Sequence, residues 1–178
     1  MSNIEFQKNY FELFELPVQF SVDETRLGKS FRQLQQQLHP DRFAGASAHE
    51  QRVAVQYSAL VNQAYTVLLE PLARALYLLE LQGISQQEVS SQKVAGGFLI
   101  EQMELREKLE TISDMVDPET VLDHLMTEIL ADIKIHQNEF ESAYVESELS
   151  EAAAACVKMQ YLAKLLLEAE QIESGWLD

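Results

Sequence analysis

Apolar residues recur at intervals of three and four along almost the whole of this chain, and runs with the period of two that a half-buried strand needs are absent. Only six glycines and four prolines interrupt its 178 residues, so the pattern predicts an all-helical protein. Leu27, Phe31, Leu34 and Leu38 step by 4, 3 and 4 after Asp23, a residue suited to an N-cap, which predicts a helix over 23–38. His39-Pro40-Asp41 ends that helix, because a proline disfavours αR geometry in the residue before it. Gly45 and Ser47 then belong to a surface loop, and a second helix is expected from near His49 to Pro71, burying Tyr57, Leu60, Val61, Ala64, Val67 and Leu68. A shorter stretch from Tyr10 to Leu16 reads as one or two helical turns.

Charge divides the chain. Residues 1–82 hold seven bases against nine acids, net −2, whereas 83–178 hold six against twenty, net −14. The polar stretch from Gln82 to Gln87 lies at that boundary, so 1–82 is read as one unit, 83–90 as a linker and 91–178 as a second unit. In the second unit, helices are expected over 98–113, 118–145 and 149–174, broken at Asp117-Pro118 and near Ser147. Three antiparallel helices with short connections make a bundle. A net charge of −16 opposes binding to phosphate backbones and anionic lipid, so neither nucleic acid nor membrane is expected as a partner. One cysteine, Cys156, allows no internal disulfide and no thiolate metal cluster, and it sits among alanines where a small buried residue belongs. The first ten residues lack the basic and apolar regions of a signal peptide, and no stretch approaches a membrane span, so a cytoplasmic protein is expected.

The chemistry concentrates at the turn between the first two long helices. Arg26, Lys29 and Arg32 place three cations along one sector of the helix that precedes His39-Pro40-Asp41, opposite its apolar stripe. Asp41 offers a carboxylate to an arginine fork on a partner, and Pro40 fixes its direction. After the loop come Asn62-Gln63-Ala64-Tyr65-Thr66-Val67-Leu68, then Pro71, Arg74 and Tyr77. In order and spacing this resembles the J-domain of DnaJ-type co-chaperones, with Leu38 where the family usually has an aromatic and with fewer basic residues than is common. The resemblance implies a helical hairpin that docks His39, Pro40, Asp41, Arg26, Lys29 and Arg32 on an ATP-bound chaperone of the seventy-kilodalton heat-shock type and triggers its hydrolysis. A small enzyme using His39 and Asp41 is the alternative, but a neighbouring nucleophile and oxyanion donors are missing from the loop. His49, His124 and His136 lack the ligand spacing of a metal site, so no metal or other cofactor is expected.

A second surface emerges when the helix beginning at Phe98 is unrolled at about 100° per residue. Phe98, Gln102, Leu105, Leu109 and Ile112 share one side and suit a bundle core, with Ala155, Met159, Leu162, Leu166 and Ala169 as the matching stripe on the last helix. Leu99, Ile100 and Met103 fall on the other side among Glu104, Glu107, Glu110 and Thr111, and Tyr161 of the last helix either borders the same region or caps the edge of the core. An apolar patch rimmed by carboxylates suits a protein partner, the alternative being that this face packs on the 72–82 segment or on the last helix.

The run Phe98-Leu99-Ile100-Glu101-Gln102-Met103-Glu104-Leu105-Arg106-Glu107 is similar to the F-L-M-E-Q-L-E-L-R-E run of HscB-type co-chaperones, and the two-unit plan resembles that family along the whole chain. The resemblance implies an all-α protein, an N-terminal J-domain hairpin plus a C-terminal three-helix bundle. It further implies a co-chaperone without cofactor that delivers the iron–sulfur scaffold protein IscU to an HscA-type chaperone. By the same resemblance Leu99, Ile100, Met103, Glu104, Glu107 and Tyr161 bind the scaffold, while Thr111 stands where related sequences have an acid. Some eukaryotic members begin with a cysteine-rich zinc-binding segment, and a chain without one is read as the bacterial form. A general J-protein serving other clients is the rival, against which the missing glycine/phenylalanine-rich linker and CxxC repeats speak.

Overall fold

In a computed structural model that describes residues 8–177, every regular element is a helix: α1 Tyr10–Leu13, α2 Glu24–Gln37, α3 Ala48–Leu69, α4 Pro71–Leu81, α5 Gln86–Ser90, α6 Gly96–Thr111, α7 Pro118–Val145 and α8 Leu149–Leu177. Short 3₁₀ turns at Pro40–Phe43 and Ile112–Asp114 complete the set. The chain separates into two compact units between Leu78 and Leu79.

In the first unit α2 begins where Asp23 accepts a hydrogen bond from the Arg26 amide at 2.9 Å, and α3 begins at a capping box formed by Ser47 and Glu50. The two helices run antiparallel, since Phe31 stacks on Tyr65 with ring centroids 3.9 Å apart and Gln35 reaches Asn62 at 3.3 Å. Leu27 from α2 and Leu38, which caps its C-terminus, meet Ala54, Tyr57, Val61, Ala64 and Leu68 from α3 in the core, joined by Phe11, Phe14 and Phe20 from the N-terminal segment. Leu60 and Val67, expected inside, are only half-buried, because α3 turns a narrow stripe of period 3.5 to 4 toward α2 and α1. After α3, Tyr77 stacks on Tyr10 at 4.2 Å and its hydroxyl accepts from the Tyr10 amide at 3.0 Å, while the Arg74 guanidinium lies 5.1 Å from the Phe20 ring centre. Of the residues that follow Asn62 in the motif, Tyr65 therefore ties α3 to α2, and Arg74 and Tyr77 tie α4 to the N-terminal segment.

The second unit is an up-down-up bundle of α6, α7 and α8, in which α6 runs parallel to α8 through the Phe98–Tyr161 and Arg106–Glu168 pairings. Its core gathers Phe98, Leu105, Leu109 and Ile112 with Leu122, Leu125 and Ile129, and with Leu162, Leu165 and Ala169. Leu165 replaces Leu166 as the fully buried position on α8, because α8 packs on both α6 and α7 and buries a face wider than one stripe. The stretch 83–90, read as a linker, holds α5, whose capping box joins Ser85 to Glu88 and whose Val89 is buried in packing that reaches α8. Gly83 closes α4 at φ 83°, with the Ile84 amide bonding the Leu79 carbonyl and the Gly83 amide that of Glu80.

Candidate functional site

The turn joining α2 to α3 is small and closed by its own hydrogen bonds. The His39 ring nitrogen Nδ1 accepts the Asp41 amide at 3.3 Å, and the His39 carbonyl accepts the Arg42 amide at 3.0 Å. His39 thus caps the 3₁₀ turn that Pro40 opens, the position where a missing N–H costs nothing. Gln51 on α3 donates to the Phe43 carbonyl at 3.0 Å and the Ala46 carbonyl at 3.3 Å, tying the far side of the loop down. The Asp41 carboxylate is the group left in the open, with its side chain 91 % exposed, 3.6 Å from His39. A carboxylate presented in this way accepts a bidentate guanidinium without first breaking a structural bond.

Arg26, Lys29 and Arg32 are all exposed on α2, about 180° around the helix from its apolar stripe. They are not equivalent. Arg26 donates to the Glu15 carbonyl, a residue held at φ 55°, and so also closes the first unit. The Arg32 guanidinium lies over Gly28, where a side-chain carbon would make ordinary contact with it. Arg42, which sequence reasoning passed over, lies in the turn itself and donates to the Gln36 carbonyl at 3.5 Å, adding a fourth cation next to Asp41. Its position directly after Asp41 was the available signal.

On the bundle, α6 presents the two faces expected. Phe98, Gln102, Leu105 and Leu109 are buried, while Leu99, Ile100 and Met103 stand 39 %, 59 % and 72 % exposed. This outer face of α6 therefore stays outside the buried cluster of the second unit among the described residues. Glu104, Glu107 and Glu110 are exposed beside it, as is Thr111, whose hydroxyl bonds back to the Glu107 carbonyl at 2.9 Å. Tyr161, 43 % exposed, comes to this end of α6 across the bundle, its ring edge-on to Phe98 with centroids 6.2 Å apart. Leu99, Ile100, Met103, Glu104, Glu107 and Tyr161 are thus brought to one end of one unit, and His39, Pro40, Asp41, Arg26, Lys29 and Arg32 to the other unit.

The remaining candidates stay apart. His49 and His124 are exposed, and His136 is held by Glu139 at 2.9 Å; among the described residues no three His, Cys, Asp or Glu side chains stand close enough to hold a metal ion. Burial pushes the Cys156 thiol up to about 12, which keeps it protonated. No helix among the described residues is long and apolar enough to cross a membrane.

A helical hairpin with an exposed aspartate at its turn is followed by an acidic helical bundle with an outward apolar patch, and comparison with known proteins gives this arrangement its class. The HSCB C-terminal oligomerisation domain family matches residues 95–170. The co-chaperone protein HscB homolog of Vibrio cholerae is 42 % identical over 95 % of this chain and 99 % of its own. That of Shewanella woodyi is 39 % identical over 94 % and 98 %. The structure of HscB from Vibrio cholerae superposes with a TM-score of 0.84 over 94 % of this chain and 99 % of that one, and human HscB, 32 % identical, with 0.85 over 94 % and 83 %. The chain belongs to the HscB family of co-chaperones. The yeast co-chaperone Jac1, at 22 % identity and a TM-score of 0.69 over 92 % of this chain and 97 % of that one, shares the fold.

Proposed function

We propose that this co-chaperone works as a cytoplasmic adaptor of iron–sulfur cluster assembly, joining an IscU-type scaffold protein to an HscA-type chaperone and stimulating that chaperone's ATPase. The N-terminal unit is the J-domain, with His39, Pro40 and Asp41 as the trigger and Arg26, Lys29 and Arg32 as the docking face. Its part in hydrolysis is exerted on the partner: Asp41 engages an arginine of the chaperone, and the cations steer the approach and set its salt dependence. The C-terminal bundle holds the scaffold through Leu99, Ile100 and Met103 as apolar anchors, with Tyr161 beside them and Glu104 and Glu107 at the rim.

One observation carries the reading: the three apolar residues of α6 are in water although the core beside them is complete. The two surfaces share no residue, and the adaptor reading requires both partners to be held at once. Sedimentation of the chain with purified HscA-type chaperone, ATP and purified IscU-type scaffold tests this. A ternary complex is expected, with scaffold binding lost on Leu99→Ala/Ile100→Ala/Met103→Ala and chaperone binding lost on charge reversal of Arg26, Lys29 and Arg32. Competition between scaffold and chaperone for the chain would refute the adaptor role.

A further inference from the structure

The exposed ring of Tyr161 ends a chain of side-chain contacts that crosses the bundle. Phe98 presents its ring at 72° to Tyr161 and also meets the His136 ring at 78° with centroids 5.6 Å apart. His136 Nδ1 pairs with Glu139 at 2.9 Å, and Glu139 takes Lys158 Nζ at 2.9 Å. Lys158 stands three residues before Tyr161 on α8, so the contacts close a circuit from α8 through α7 and α6 back to α8. Lys164, three residues beyond, sets its Nζ 5.9 Å from the centre of the Tyr161 ring.

We infer that His136 is a positioning residue that, through Phe98, fixes the Tyr161 ring in advance in the orientation a protein partner meets. The inference rests on the scaffold-binding reading of the patch for the partner's identity, though not for the ring's order. Its physical basis is that immobilising a free side chain at an interface weakens binding, so a ring already fixed binds more tightly than a mobile one. Removing the circuit is therefore expected to weaken binding by about three- to tenfold, the range that ordering one side chain corresponds to.

The full chain, labelled at its tyrosine rings, is compared by NMR as wild type, His136→Ala and His136→Phe, with Tyr161 signals assigned from Tyr161→Phe. His136→Ala is expected to move the Tyr161 ring signals toward those of free tyrosine, and His136→Phe, which keeps a ring edge on Phe98, to restore them. Should His136→Ala not fold, His136→Leu fills the volume without a ring and carries the same expectation. Calorimetric titration with purified IscU-type scaffold should then show the three- to tenfold loss for His136→Ala and no further loss when it is added to Tyr161→Ala. Unmoved Tyr161 signals overturn the inference, as does an affinity loss that persists in full in the Tyr161→Ala background. A wild-type chain that fails to bind scaffold refutes the scaffold reading alone, since the ring signals of the free chain still decide the role of His136.

Discussion

Truncating Leu99, Ile100 and Met103 together to alanine separates stability from binding more sharply than any single change. Ile100 and Met103 already spend most of their surface in water, so each truncation is expected to cost about 0.5 kcal/mol or less. Leu99, the most covered of the three, should cost about 1 kcal/mol in lost apolar burial, with no cavity left behind. The triple variant should thus lose about 1–2 kcal/mol, some 4–16 °C in the melting temperature of a bundle of this size. Leu105→Ala, two residues beyond Met103 but inside the cluster with Leu109 and Leu162, should cost about 2–5 kcal/mol alone, because it leaves a cavity in the core. Binding should order the variants the other way. Three anchors at the centre of an interface are expected to cost more than 100-fold in scaffold affinity, whereas Leu105→Ala, where folded, should bind within a few-fold of wild type. Thermal melts and titration calorimetry on both variants decide the matter. A triple variant that melts below Leu105→Ala, or one that melts as expected and binds scaffold like wild type, refutes the reasoning.

Other consequences follow from single residues. Ser147 closes α7 at φ 61° with the Glu148 amide on the Ala143 carbonyl, a place for glycine, so Ser147→Gly should raise stability by about 1 kcal/mol in a urea titration. Burial alone would raise the Glu139 carboxyl, but the hydrogen bonds and charges of Lys158 and His136 outweigh it and hold the group below its usual 4.5. Its contribution is therefore complete above about pH 4.5 and lost as the pH falls through the lowered value, so Glu139→Gln should flatten the acid side of the stability profile without changing the slope near neutrality. Cys156 should resist a thiol reagent in the folded chain and react at once in denaturant, and prompt reaction without denaturant would contradict its burial.

Long amphipathic helices with marked ends were legible in the sequence. Asp23 announced α2, and Asp117-Pro118 placed α7 over the same 118–145 that it occupies. Leu99, Ile100 and Met103 could be assigned to the outer face because a helix has a fixed angular step, and the core of α6 is complete without them. What failed to show had short range or long range as its cause. A five-residue helix such as α5 offers one buried residue, Val89, and one point has no period, although Ser85 and Glu88 stood at capping-box spacing. The preference for Leu165 over Leu166 depends on which two helices flank α8, and the bond from Arg26 to the Glu15 carbonyl joins residues that only the folded hairpin brings together. The turn at His39-Pro40-Asp41 was visible as a motif, while the capping of the Asp41 amide by His39 was not.

The central claim is that Asp41 transmits the signal to the partner chaperone, and single-turnover ATP hydrolysis by a purified HscA-type chaperone measures it directly. Asp41 carries its carboxylate in the open and engages the turn only through its backbone and His39, so Asp41→Asn should leave the helical circular dichroism and scaffold binding unchanged. Wild-type chain is expected to accelerate hydrolysis, further so with scaffold present, and Asp41→Asn to leave the chaperone at its unstimulated rate. Full acceleration by Asp41→Asn would contradict the account.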